Sequence, residues 1–210
     1  MSVEEGTRAL LMRRREILAQ GAQPVGWKIG FNVPKTQERL GIDGPLTGFL
    51  TTDSLLEDGD TWALEEGDPV IVESEVALEV GPDGSSIAAL FPALELADEP
   101  DLDLKIEQIL AGNIFHRAVA FGPRVETRVP GAGRILVNGE EQHALSAEQT
   151  AANLEAMVEA VAGRLAEAGE ELQPGERIIT GVLAPPHTAQ PGDAVRLELE
   201  SLGAVELRFA

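Results

Sequence analysis

The apolar and polar positions alternate, cluster and break in a way that predicts many short strands with a few helices. Residues 70–80, "VIVESEVALEV", read as a strand closed by the turn "GPDGSS". "IAALFPALELAD" is a second apolar run immediately after it. Shorter strands are expected in "QPVGWKIGF", "DGPLTGFLT", "HRAVAFGP", "ETRVP" and "ERIITGVLAPP", with a brief pairing in "TWAL". "RILVNGEEQHAL" reads as a hairpin, because Asn138-Gly139 between apolar runs favours a type I′ turn. "GDAVRLELESLGAVELRFA" reads as a closing hairpin around Leu202-Gly203.

Helical spacing appears in four places. Residues 3–20 carry Ala9, Leu10, Leu11, Ile17 and Leu18 on one face, with Gly21 as a stop. "PKTQERLGI" starts on Pro34 and stops at Gly41, and "DLDLKIEQILAG" has room for a turn or two. Ser146 begins a capping box with Gln149. It is expected to open one long helix with an apolar stripe at Leu154, Met157, Val158, Val161 and Leu165. The sum is an α+β chain dominated by strands, many of them antiparallel, in a single domain over 1–210. Residues 1–22 form an N-terminal helix and 23–210 a β-rich core.

Composition narrows the function classes. An apolar fraction of 43% supports a sizeable core, built from Leu, Val, Ile and Ala because aromatics are only 4%. No apolar run is long enough for a membrane span, the N-terminus lacks a secretory core, and there is no Cys, which together suggest a cytoplasmic protein. A formal net charge of −20 repels phosphate backbones and argues against nucleic-acid partners and anionic membranes. An anionic substrate would need local positive charge from a metal or a lysine.

The chemistry-bearing residues are carboxylates. Strand side chains alternate faces, so Glu73 and Glu75 share one face of the 70–80 strand, with Cα atoms about 7 Å apart. Either that face meets solvent, or a cation neutralises it; hard Mg²⁺ or Mn²⁺ would suit such oxygen donors. Glu95, flanked by Leu94 and Leu96, is a third acid of interest, with Asp98 and Glu99 as neighbours at a loop edge. Lys28 lies in a strand between Trp27 and Ile29; it is either a surface lysine or a group that binds an anion and moves a proton, its pKa lowered by a nearby metal. His116 sits beside Arg117, while His143 and His187 fall in exposed or loop positions; His116 and Arg117 matter only if they point inward. No G-x-S-x-G elbow, phosphate loop or zinc-helix motif is present.

Taken in order, "GWKIGFN", "QERLGIDGPLTGFL", E-x-E on a strand, "PALELAD" and the terminal "PGD…SLGAVELRF" resemble the 2-keto-4-pentenoate hydratase branch of the fumarylacetoacetate hydrolase superfamily. The resemblance runs from about residue 24 to 210. It implies a β-rich roll or sandwich with flanking helices, a divalent metal (Mg²⁺ or Mn²⁺) on Glu73, Glu75 and Glu95, and a homo-oligomer. It further implies catalytic roles for Lys28, Glu73 and Asn113, and substrate contacts from Lys28, Asn113, Thr180 and Gly181. The implied substrate is a small 2-oxo or 2-hydroxydienoic acid of aromatic catabolism, reacting through a metal-stabilised enolate. Hydration is the leading reaction; oxalocrotonate-type decarboxylation and acylpyruvate hydrolysis are sister outcomes, and a non-catalytic 2-oxo-acid binder is the alternative of a different class. The chain departs from the pattern in three places. The segment between Glu75 and Glu95 is shorter than usual, Glu99-Pro100 replaces a Ser-Arg pair, and Gly112 replaces an acid before Asn113.

Overall fold

The two long apolar runs pair with each other and set the frame. The computed structural model describes residues 2–127, 129–151 and 153–210. The N-terminal part comprises α1 (Val3–Ala19), β1 (Pro24–Gly30), α2 (Pro34–Leu40), β2 (Leu46–Thr51), a 3-10 turn (Thr52–Ser54), β3 (Leu55–Leu56) and β4 (Thr61–Trp62). Next come β5 (Val70–Val80), β6 (Ile87–Asp98), α3 (Ile106–Ala111), β7 (His116–Phe121), β8 (Gly133–Val137) and β9 (Glu140–Leu145). The chain closes with α4 (Ala147–Thr150), α5 (Leu154–Glu167), β10 (Arg177–Val182), β11 (His187–Thr188), β12 (Ala194–Leu199) and β13 (Gly203–Phe209).

The larger sheet has the order β2-β1-β10-β5-β6-β7-β3, with β11 on β5; the smaller has the order β4-β13-β12-β8-β9. The edge strands of the larger sheet, β2 and β3, are joined by only the three-residue 3-10 turn. The sheet must therefore curl until its two edges meet, which makes a roll with an inside and an outside. Even-numbered residues of β5, such as Val72, Val76 and Leu78, face outward into the main core with Val195, Leu197, Val205 and Leu207. Odd-numbered Ala77 faces inward, onto a smaller cluster of Leu50, Ala89, Phe91, Ala93, Val119 and Ile179. Both faces of β5 are thus covered, which explains its near-continuous apolar sequence.

The α+β expectation holds, and most pairings are antiparallel. Parallel pairings join β1 to β10, β3 to β7 and β4 to β13. The Asn138-Gly139 turn has both residues left-handed, as a type I′ turn requires. Three expectations need correction. "ETRVP" forms no strand among its described residues; Val125 just before it makes only an isolated bridge to Leu90, and Arg128 lies outside the described residues. Ser146 does cap a helix, but α4 stops after one turn, and the apolar stripe belongs to the separate α5. The reason is tertiary: buried Thr150 donates its Oγ1 proton to Gly131 O (2.5 Å), tying the first turn to the neighbouring loop, and Asn153 is left-handed (φ 58°). The α1 expectation was one residue long: the helix ends at Ala19, and a Ser2–Glu5 capping box starts it.

Candidate metal centre

The shortened segment between Glu75 and Glu95 is a tight hairpin. Asp83 Oδ1 accepts from the backbone N–H groups of Ser85 (3.0 Å) and Ser86 (2.7 Å), and Gly81 N–H donates to Ser86 O (2.7 Å). This turn, together with a register shift between Glu79 and Val80, places Glu73 on β5 directly opposite Glu95 on β6. Glu75 follows two residues along, on the same inward face. One oxygen from each of the three carboxylates lies within 4.8 Å of the others. The solvated-face alternative is therefore excluded: Glu75 and Glu95 are 0% exposed, and Glu73 is only partly so.

Each carboxylate is oriented by a named donor. Lys28 Nζ, on β1 and 3% exposed, donates to Glu95 Oε1 and to Ile114 O (3.0 Å). His116 Nδ1 lies 2.7 Å from the same Glu95 oxygen. Gly181 N–H donates to Glu75 Oε2 (2.6 Å). Glu75 Oε1 and Glu95 Oε2 are then left buried, with no hydrogen-bond partner among the described residues. Orphaned, desolvated carboxylate oxygens are costly. Three convergent oxygen donors, two of them orphaned, fit a hard divalent cation such as Mg²⁺ or Mn²⁺.

The electrostatics carry the same mark. Burial and then the charges of Glu95 and Glu73 push the Glu75 carboxyl well above its ordinary range. Burial and then Glu95 lift Glu73 to about 7, against an opposing pull from Lys28. Burial would raise Glu95 too, but Lys28 and then His116 outweigh it and hold it at about 2. Burial alone would lower the Lys28 ammonium; Glu95 and then Glu73 outweigh it, and the net shift is upward. The lowering expected of the lysine belongs to a site with a metal beside it; in the cation-free chain the nearest charges are carboxylates, which favour the ammonium. Lys28 keeps its proton and acts as a hydrogen-bonding cation.

The other expected site residues stand directly behind these groups. Asn113 is 4% exposed, and its amide is committed to the backbone of Phe49: Nδ2 donates to Phe49 O (2.9 Å) and Oδ1 accepts from Phe49 N (2.8 Å). Asn113, Ile114 and Phe115 are all left-handed, with φ of 60°, 52° and 63°. Such a run costs on the order of 1–2 kcal/mol per residue and persists only where surroundings fix it. Here the Phe49 clamp and the Lys28 bond to Ile114 O do so. Thr180 donates its hydroxyl proton to Val76 O (2.8 Å). Gly181 has φ 97°, and a Cβ there would fall 2.6 Å from Asn32 Nδ2, so only glycine can present its N–H to Glu75 in this way.

His116 and Arg117 part company. A register shift between Leu96 and Ala97 in the β6–β7 pairing places His116 opposite Ala97 and turns its ring inward. Arg117 is instead held by Asp98 and Asp68 at the outside of the sheet. Asp98 is therefore Arg117's partner and does not join the three glutamates. Glu79 is largely covered and paired with Arg124. The inward turn of His116 had no sequence signal beyond its place next to a strand.

Comparisons with known proteins set this rolled mixed sheet and its buried tri-carboxylate focus among known folds. No family model matches the chain. A 4-oxalocrotonate decarboxylase from a Pseudomonas species is 28% identical over 215 residues, covering 94% of this chain and 82% of that protein. The 2-keto-4-pentenoate hydratase 1 of Dechloromonas aromatica is 27% identical over 220 residues, covering 93% and 81%. Among solved structures, 4-oxalocrotonate decarboxylase from Pseudomonas putida G7, complexed with magnesium and adipate, superposes with a TM-score of 0.88 at 21% identity, over 100% of this chain and 87% of that one. Fumarylpyruvate hydrolase from Pseudomonas aeruginosa, in complex with Mn²⁺ and pyruvate, gives 0.64 at 15% identity, over 88% of each. The fold is that of the fumarylacetoacetate hydrolase superfamily. In sequence, the chain is similar to 2-keto-4-pentenoate hydratases and 4-oxalocrotonate decarboxylases at 25–28% identity.

Proposed function

We propose that this chain is a divalent-metal-dependent enzyme acting on a small 2-oxo or 2-hydroxydienoic acid, and that its reaction is a hydration of the 2-keto-4-pentenoate type. The observation that carries the reading is the convergence of Glu73, Glu75 and Glu95, of which Glu75 and Glu95 each keep one buried oxygen with no hydrogen-bond partner. Glu73, Glu75 and Glu95 would hold Mg²⁺ or Mn²⁺. Bound there, the cation supplies Lewis-acid chemistry to the oxygens of a 2-oxo acid and so eases proton movement at the adjacent carbon.

The chain's own residues do the rest. Lys28 keeps Glu95 ionised and spends two of its three N–H donors, on Glu95 and on Ile114 O, leaving one for a substrate oxygen. Gly181 aims Glu75, and Thr180 and Asn113 hold the strands that carry the site. Leu50, Ala77, Ala93, Val119 and Ile179 keep the roll's interior dry, which strengthens every charge interaction at the carboxylates.

Decarboxylation is the second reading, favoured by the decarboxylase with which the fold superposes so fully. A diacid carries a second carboxylate and needs a second cation. Arg117, the candidate for that second carboxylate, is held by Asp68 and Asp98 at the outside of the sheet, which supports a monoacid substrate. The test is a spectrophotometric assay of 2-hydroxypenta-2,4-dienoate with Mg²⁺ or Mn²⁺. The parent should consume it and Glu75→Gln should not. If the substitution leaves turnover intact, the metal reading is wrong; if the parent binds oxalate with Mg²⁺ yet turns over no member of a 2-oxo-acid panel, the chain is a binder.

A further inference from the structure

Three carboxylates and a lysine were legible before the structure; how Glu95 is aimed was not. We infer that His116 is a positioning residue for the metal site, clamping one oxygen of Glu95 so that the other is the atom offered to a cation. The inference rests on the metal reading above and goes beyond it.

The ring is held at both ends. Nδ1 lies 2.7 Å from Glu95 Oε1, and Nε2 lies 3.0 Å from Ser54 Oγ. The His116 side chain is 3% exposed. A nitrogen facing an ionised carboxylate is the protonated donor, so Nδ1–H points at Glu95. Lys28 donates to the same oxygen. Two donors therefore converge on Oε1 and none reaches Oε2. Rotation of the carboxylate about its own axis would break both bonds, so Oε2 is the Glu95 oxygen left free for a cation shared with Glu73 and Glu75.

The two donors are not equivalent. Lys28 brings charge on a long flexible stem, whereas His116 brings direction: a planar ring with two torsions, pinned at its far nitrogen. The pin has structural meaning. Ser54 belongs to the 3-10 turn that joins β2 to β3, the two edges of the rolled sheet. Its Oγ also lies 3.1 Å from Thr51 O within that turn. The chain Ser54–His116–Glu95 thus ties a proposed ligand to the seam of the roll. The bulge in the β6–β7 pairing is what delivers the imidazole to this place. Hydrogen-bonded partners behind metal ligands commonly set affinity by about 10- to 100-fold.

The test is Mn²⁺ binding to the full chain, by calorimetry and by the electron paramagnetic resonance spectrum of the bound ion. His116→Ala should bind Mn²⁺ about 10- to 100-fold more weakly, with an altered spectrum. His116→Asn, whose amide N–H reaches Oε1 as Nδ1 does, should recover an affinity close to the parent's. Should His116→Ala fail to fold, His116→Asn against His116→Gln replaces it, since Gln keeps the reach to Ser54 and loses the donor to Glu95. Asn tight and Gln weak supports the clamp. Equal affinities in either comparison overturn it. A parent that binds Mn²⁺ with His116→Ala unaffected removes this inference alone; a parent that binds no Mn²⁺ removes the metal reading with it.

Discussion

Replacing Glu73 by Gln should make the cation-free protein more stable, and the size of the gain follows from the site. Burial and the Glu95 charge lift the Glu73 carboxyl from an ordinary 4.5 to about 7. A raised acid stabilises the fold below its unfolded value and loses that contribution as pH climbs through its folded value. Between pH 4.5 and 7, then, the cation-free chain gives up stability through this one group. At about 1.4 kcal/mol per unit the loss is about 3.5 kcal/mol, and about 2–3 kcal/mol survives local relaxation. Gln carries no charge and still offers a donor towards Glu95, so it mimics the protonated acid at every pH. In EDTA at pH 8, Glu73→Gln should exceed the parent by about 2–3 kcal/mol, roughly 4–12 °C in melting temperature for a chain of this length. At pH 5 the two should nearly coincide. Added Mn²⁺ should then raise the parent's melting temperature and leave the variant's almost unmoved. Scanning calorimetry at both pH values, with and without metal, reads all of this. A parent as stable as the variant at pH 8 without metal would refute the idea that the carboxylates are held together at a cost.

Two further outcomes follow from the same geometry. Gly181→Ala puts a Cβ 2.6 Å from Asn32 Nδ2 at a left-handed position and displaces the N–H that aims Glu75. Mn²⁺ affinity should fall by about tenfold and stability by about 1–3 kcal/mol, measured by calorimetry and urea unfolding; unchanged values would mean that the Glu75 contact is idle. Because Glu73 (about 7) and Glu75 (well above its ordinary range) hold protons near neutrality, Mn²⁺ binding at pH 7 should expel them. Titrations in two buffers of different ionisation enthalpy should show net proton release and an affinity that rises with pH through 7, whereas identical apparent heats would contradict it.

How much of this was readable beforehand differs from element to element. The inward set of β5 was legible as a set, because side chains alternate; which set faced inward was not, since both faces are largely buried. The Glu73–Glu95 pairing was not legible from the turn, because the turn sets Val80 opposite Ile87 and only a register shift between Glu79 and Val80 brings Glu73 opposite Glu95. The resemblance carried Glu95 to the site, and the register explains why it belongs there. His116 was different. One register shift in the β6–β7 pairing sends it inward and Arg117 outward, and no periodicity marks a bulge. The break between α4 and α5 was hidden as well, since a sound capping box says where a helix starts and not how far tertiary ties let it run. Asn113 and Thr180 were found as residues, yet their side chains proved to be committed to Phe49 and Val76, contacts that only the closed roll creates.

The most direct measurement is anomalous diffraction from crystals of the parent chain soaked in Mn²⁺. A single peak bonded to one oxygen from each of Glu73, Glu75 and Glu95, with Oε2 as the Glu95 atom, is the predicted result. Ordered carboxylates with no peak between them, or a peak that bypasses Glu75 and Glu95, would contradict the account.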